Sequence, residues 1–352
     1  MANDANTTDA LPSPTGSYRD YIEYDIAVGL VRYIYPLIFI FGLTGNILTV
    51  CVLLKRSIGK KSTSYLLVSL AVADSCILLF SLLRKWIVTL DDRFSNFDMI
   101  VPFFCSMRYF LNYYLTHLSV WFLVLVTTER FISVIFSLKA VNLCKTRNAV
   151  ISICVVTVTM FLLDAHLLYG IVGIYRTPEK IACRLRRSST YRYFWFKFWG
   201  TIDICISTLI PFFFILFCNV SIIVKVRMSS RKTKSRTTNE SSSDSKITNM
   251  TAMLLTINFM FLITSLPFTL YMLVWSEIKI ENHAIAQDIL AQTSVSALNY
   301  VNNAVNFLLY CVSGPRFREQ FMAMIGYRSS RVNPVIESTD GSTIERSTNT
   351  NG

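Results

Sequence analysis

Long apolar stretches alternate with short charged ones along most of the chain. Seven of the apolar stretches reach membrane length: Tyr33–Leu54, Thr63–Leu83, Tyr109–Thr128, Asn148–Tyr175, Phe198–Val224, Ile247–Ser276 and Ile289–Pro315. Crossing a bilayer as a helix takes roughly 20 mostly apolar residues, so the pattern predicts an all-α bundle of seven transmembrane helices. Inside these segments the formal charges are Asp74, Asp164 and Asp203, with His117 and His166 as further titratable groups. A soluble protein with seven buried helices is the alternative, and the number and length of the segments weigh against it. Composition points the same way. Of the 352 residues, 53% are hydrophobic and only 16% charged, against about 25% charged in an ordinary soluble domain.

Loop charge sets the orientation. With the N-terminus outside, 20 Lys and Arg fall on the cytoplasmic side and 14 on the outer side, as the positive-inside rule requires. The chain then reads as an N-terminal tail over 1–29, a bundle with a short eighth helix over 30–326, and a disordered cytoplasmic tail over 327–352. No basic leader precedes the first span, which is expected to act as its own insertion signal. Asn6-Thr7-Thr8 is a glycosylation sequon that this orientation places outside. Most of the nine Cys sit within spans and read as small packing residues. Cys105 and Cys183 fall on the oxidising side near water, where they can pair. The net charge of +12 is divided between the two sides of a membrane, which excludes nucleic-acid binding as its meaning.

Charge at membrane depth is costly and therefore usually functional. Asp74 lies mid-span, as does Asn46, and the seventh span carries Asn299, Asn302, Asn303 and Asn306 at helical-neighbour spacing. Ser119 of the third span can join them. One acid ringed by Asn and Ser is a pocket for a monovalent cation such as Na+, or for water; a hydrogen-bonded packing network uses the same atoms. No metal or nucleophile spacing accompanies His117, Asp164 and His166, so no enzyme is expected and no other cofactor is implied.

Several motifs occur in order along the spans: Gly45-Asn46, Leu70-Ala71-Val72-Ala73-Asp74, Cys105, Glu129-Arg130-Phe131, Pro211, Phe261 with Pro267, and Asn306 with Tyr310. Together they resemble the rhodopsin-like G-protein-coupled receptors from about Tyr33 to Gly326. The resemblance implies that Arg130 sits at the cytoplasmic mouth of the bundle and is held at rest by Glu129. Activation then swings the sixth span outward and opens a groove for a heterotrimeric G protein, with Phe131, Phe261, Pro267, Asn306 and Tyr310 among the switch residues. It also implies a multi-pass protein of the plasma membrane. The chain departs from the family pattern in five places. Span four has no Trp, Ser265 stands where an aromatic is usual, Phe307 replaces a Pro and Asn219 a Tyr. No acid opens span six.

Tyr300 occupies the place of the opsin Lys, which argues against covalent retinal, and Asn112 stands where amine receptors carry an Asp. The outer surface is basic instead. Arg84, Lys85 and Arg108 lie near the mouth, and "RTPEKIACRLRRSSTYRYFWFK" brings Arg184, Arg186 and Arg187 together with a run of aromatics. A Cys105–Cys183 bridge would pin that loop over the bundle. These residues, with Asn112, Asp203 and Gln292, form the expected ligand-contact set, and an extracellular peptide fits a long loop over an open bundle. "NNAVNFLLYCVSGPRFREQF" further resembles invertebrate FMRFamide-like peptide receptors. A small anionic or lipid ligand is the second reading, and a channel or transporter the third. Transporters show paired repeats around a midplane site, and the seven spans here are unrepeated.

On the inner side, "KVRMSSRKTKSRTTNESSSDSK" reads as a basic Ser/Thr loop for lipid attraction and phosphorylation. Phe317, Phe321 and Ile325 mark one face of an amphipathic helix on the inner leaflet. Hydroxyls of the tail are candidate sites for receptor kinases and arrestin. The missing acid at the start of span six removes a second clamp on Arg130, so basal signalling is expected to be raised. Second-messenger output in unstimulated transfected cells should exceed that of mock cells, and equal output would count against it.

Overall fold

The structure, a computed structural model, describes residues 17–55, 62–91, 102–177, 180–234, 241–271 and 281–326. Five helices among them are long and apolar enough to cross a membrane: span one (Ile22–Leu53), two (Ser62–Leu90), three (Phe103–Ile135), four (Thr146–Gly170) and five (Ser189–Met228). Span six lies within Ser241–Leu270. Span seven is Asn282–Ala304 followed, after a break at Val305, by Asn306–Ser313. Its Gln and Asn residues lower its apolar character; of these, Asn303 and Asn306 are buried, whereas Gln287 and Gln292 are exposed. A final helix, Pro315–Met324, comes directly after it.

Several boundaries differ from those expected. The helix of span one starts at Ile22, inside the stretch read as tail. Span three runs unbroken to Ile135, so Glu129 and Arg130 lie within a helix and do not terminate it. Span four ends at Gly170. The residues after it, read as the end of that span, form a β-strand, β1 (Ile171–Thr177), paired antiparallel with β2 (Lys180–Leu185). A Val/Ile run looks alike as strand or helix end; what decides is the partner strand, with Gly173 opposite Cys183. The helix of span five begins at Ser189, so half of the basic loop is helical. Ser188 caps it, its hydroxyl accepting from the Tyr191 N–H at 3.4 Å. Asn6, residues 235–240 and residues 327–352 lie outside the described residues.

Short π-helical turns interrupt three spans, at Leu30–Ile34, Leu78–Leu82, Trp195–Trp199 and Cys205–Leu209. Such turns each add a residue to the helical circuit and rotate the helix beyond them. Packing between spans one, two and seven is tight. The core there is Tyr35, Ile38, Leu78, Leu82, Leu115 and Tyr300. Gly42 allows it: a Cβ added there would lie 2.6 Å from both the Ala304 Cβ and a Leu78 methyl. The Pro315–Met324 helix lies partly against the bundle. Phe317 is buried on Tyr310 and Phe307, with ring centres 5.4 Å and 5.8 Å away, while Ile325 falls beyond the helix and is exposed. Its apolar face therefore meets protein as well as lipid.

Gly42→Ala should destabilise the bundle by about 1–3 kcal/mol, since overpacking a tight contact forces backbone shifts. Gly29→Ala, whose Cβ would meet nothing within 4 Å, should leave stability unchanged. The thermal midpoint of the purified protein for both variants checks this.

Candidate functional site

Span three is the axis of the site. Cys105 near its N-terminal end is bonded to Cys183 of β2, with 5.5 Å between Cα atoms. The Ser106 hydroxyl donates to the Ile171 carbonyl, and the Arg186 N–H to the Gly170 carbonyl at 2.8 Å. The hairpin is thereby fixed to the tops of spans three and four. Arg130 lies 25 residues from Cys105 along one helix, about 38 Å at 1.5 Å per residue.

A polar core lies between these ends. Asp74 accepts from the Ser119 hydroxyl at 2.5 Å and from Asn306 Nδ2 at 2.7 Å, one on each carboxylate oxygen. Asn46 Nδ2 donates to the Asn303 carbonyl at 3.0 Å. These residues are buried, and with Asn302, Ile257 and Phe261 the Asp74 group lines a cavity of about 10 Å³. That is close to the least space one water needs. The sequence groups these polar residues by depth along their spans. A small polar cavity under a carboxylate also fits a monovalent cation.

At the other end of span three the Glu129–Arg130 group is built differently from a direct acid–base pair. The Arg130 guanidinium donates to Thr63 Oγ1 at 2.6 Å, and that hydroxyl donates to Glu129 Oε1 at 2.5 Å. Ser62 adds a second donor to the same oxygen at 2.8 Å. The described hydrogen bonds thus tie Arg130 to span two, with Thr63 between the charges. Cys144, in the loop after span three, lies near this cluster; burial, and then the Glu129 charge, push its thiol above the ordinary range.

A second tie was not read from the sequence. Asn258 of span six donates to Asn219 Oδ1 of span five at 2.8 Å, and Thr127 Oγ1 of span three lies 3.0 Å from Asn258 Oδ1. All three are buried. Asn219, which replaces a Tyr of the family pattern, is here one end of a chain across spans five, six and three. Pro267 and Ser265 stand above it in span six, with Ser265 buried and its carbonyl accepting from Thr269 at 3.0 Å.

The outer set does not converge on one point. Arg108 lies over the Tyr109 ring at 4.6 Å and 3.6 Å from Cys183 Sγ. Arg186 donates to the Tyr169 carbonyl at 2.8 Å and covers its ring. Arg184, Arg187 and Gln292 are exposed and Arg84 is half-buried. Asn112 accepts from Ser81 at 2.6 Å. Of the loop aromatics, Tyr191, Phe194 and Trp195 turn inward and pack around His166 and Trp199, whereas Tyr193 and Phe196 are exposed. Asp203 pairs with His117, and so does Asp164. Among the described residues, no group of three His, Cys, Asp or Glu is arranged to hold a metal ion.

Membrane-length helices that bury their polar groups against one another, under a disulfide-fixed outer hairpin, define a helical membrane protein with an internal polar relay. The family model of the 7 transmembrane receptor (rhodopsin family) matches residues 45–310, and the chain belongs to that family, which is one of receptors and not of enzymes. It is similar to the Galanin-like G-protein coupled receptor npr-9 of Caenorhabditis elegans, 32% identical over 39% of this chain and 31% of that protein. It is similar to the FMRFamide receptor of Drosophila melanogaster, 24% identical over 80% of this chain and 51% of that one. Somatostatin receptor type 1 of Rattus norvegicus is 24% identical over 84% and 71% respectively. The matched part of this chain spans about half or less of the first two relatives.

Asn258→Ala should orphan the buried Asn219 amide, costing about 1–3 kcal/mol, and free span six. Basal second-messenger output should rise above wild type at equal surface expression, and an unchanged output would remove the tie from the switch.

Proposed function

We propose that this chain is a receptor of the plasma membrane that binds an extracellular neuropeptide and activates a heterotrimeric G protein. Its N-terminus faces outward. The observation that carries the reading is the Glu129–Thr63–Arg130 group at one end of span three, with the disulfide-fixed hairpin at the other. A guanidinium that is buried needs charge and hydrogen-bond partners. Partners supplied through a hydroxyl on another span can be exchanged when the spans shift, which is what a reversible switch requires.

The peptide class is supported by relatives whose names are those of galanin-like, FMRFamide and somatostatin receptors. A hairpin with Arg184 and Arg187 exposed adds a surface for acidic groups of the ligand. A Na+ ion near Asp74 would complete the polar core at rest. Kinases, arrestin and anionic lipids are assigned to the hydroxyl-rich and basic cytoplasmic segments. A small anionic or lipid ligand would use the same Arg residues.

A peptide library applied to cells expressing this chain with a promiscuous Gα subunit tests the reading. The expected result is a second-messenger response that Arg130→Ala abolishes while peptide binding persists. A response that survives Arg130→Ala, or no response to any peptide, would reject it. Reversing the charges of Arg184 and Arg187 together should lower potency, read as a right-shifted dose–response curve.

A further inference from the structure

His117 is fully buried and stands between two carboxylates from different spans. Its Nδ1 lies 2.9 Å and 3.2 Å from the two oxygens of Asp164, on span four. Its Nε2 faces Asp203 of span five at 3.2 Å but makes no aligned hydrogen bond among the described residues. The two acids are therefore held unequally. Asp164 is fully buried and gripped through both oxygens. The Asp203 side chain is 26% exposed and loosely held.

Counting His117 at its most charged, as an imidazolium, the cluster still has one carboxylate in excess. Among the described residues no Lys or Arg pairs with either acid. The excess falls on the exposed member. An exposed carboxylate at this depth cannot face hydrocarbon and so faces water inside the bundle. His117 is 12 residues below Cys105 on span three, about 18 Å by helical rise, beneath the mouth that the hairpin frames. The walls are aromatic. Tyr113 and Trp199 lie with ring centres 5.6 Å apart, and Trp199 Nε1 is buried without an aligned partner among the described residues. Such walls around a single carboxylate suit a planar cation, which stacks on rings and takes a carboxylate bidentately.

We propose that Asp203, beside His117, is the site for a cationic group of the ligand, a guanidinium or an ammonium. Binding draws Asp203 away from His117 Nε2 and so alters the contact between spans three and five. The identity of the ligand as a peptide rests on the receptor reading above; the charge of the group it inserts does not. A ligand with a basic end inside and an acidic portion at the hairpin matches both surfaces.

The test uses the full chain in lipid nanodiscs, labelled with 15N-histidine. The chain has three histidines, His117, His166 and His283, and His117→Gln identifies the signal by its loss. The probes, compared at one fixed pH, are N-acetyl-argininamide and N-acetyl-citrullinamide, which has the same shape without the charge. The first should shift the His117 ring-nitrogen signal saturably. The second should bind about tenfold or more weakly, the usual worth of a charge-assisted hydrogen bond. Asp203→Asn should lose the shift and Asp203→Glu should keep it. The proposal is overturned if the signal does not move up to the solubility limit of the first probe, or moves equally with both. It is also overturned if the shift survives Asp203→Asn. Should that variant fail to fold, a folded Asp203→Glu without response overturns it equally. The readout involves no G protein, so a failed signalling assay would reject the receptor reading without touching this one.

Discussion

Inside a bilayer a polar group has little water to fall back on, so its partners come from its own helix or from another one. Span three shows how far this constraint organises the fold. His117 and Ser119 are two residues apart, about 200° around the helix, and so point to opposite faces at nearly the same depth. Ser119 serves Asp74 and the seventh span; His117 serves Asp164 and Asp203 on the fourth and fifth. Thr127 and Arg130, further along, reach span six and span two. One helix thus holds polar contacts with five others. Several of these contacts, the Asp74 pair with Ser119 and Asn306 among them, are buried.

The apolar runs were legible because the hydrocarbon thickness sets their length, and Asp74 with Ser119 and Asn306 because depth along each span can be counted from its ends. Rotation about each axis was not legible. Asp164, Asp203 and His117 were visible as three separate oddities. Which faces they shared depends on where span five turns, and π-helical turns at Trp195–Trp199 and Cys205–Leu209 decide that. The basic loop was misjudged for a related reason. Its aromatics suggest display, but a helix started by Ser188 brings Tyr191 and Trp195 inward onto His166 and Trp199. Thr63, an unremarkable hydroxyl at the start of span two, carried no signal for its place between Glu129 and Arg130.

The departures from the family pattern acquire physical partners. Phe307 stands where a Pro would kink span seven, yet the helix still breaks at Val305. The ring of Phe307 lies 5.1 Å and 5.8 Å from those of Phe321 and Phe317, and its Cβ would sit 3.0 Å from a Cβ at Gly45. Span one, span seven and the last helix are therefore joined by an aromatic contact. Asn219 in turn supplies a hydrogen bond across to span six, on a chain that also reaches span three. Arg130 is tied to span two, and the Asn258 chain ties span six to spans five and three.

An unbroken helix transmits rotation better than bending, because its backbone hydrogen bonds resist local distortion while its side-chain contacts exchange. Span three has no interior Pro and no π-helical turn between Cys105 and Arg130. A turn of this helix against its neighbours is one movement that would loosen His117 from Asp203. The same turn alters the approach of Ser119 to Asp74 on the opposite face, and of Arg130 to Thr63 further down. Three contacts that look independent by distance alone share one unbroken helix, and the proposed switch would run along it.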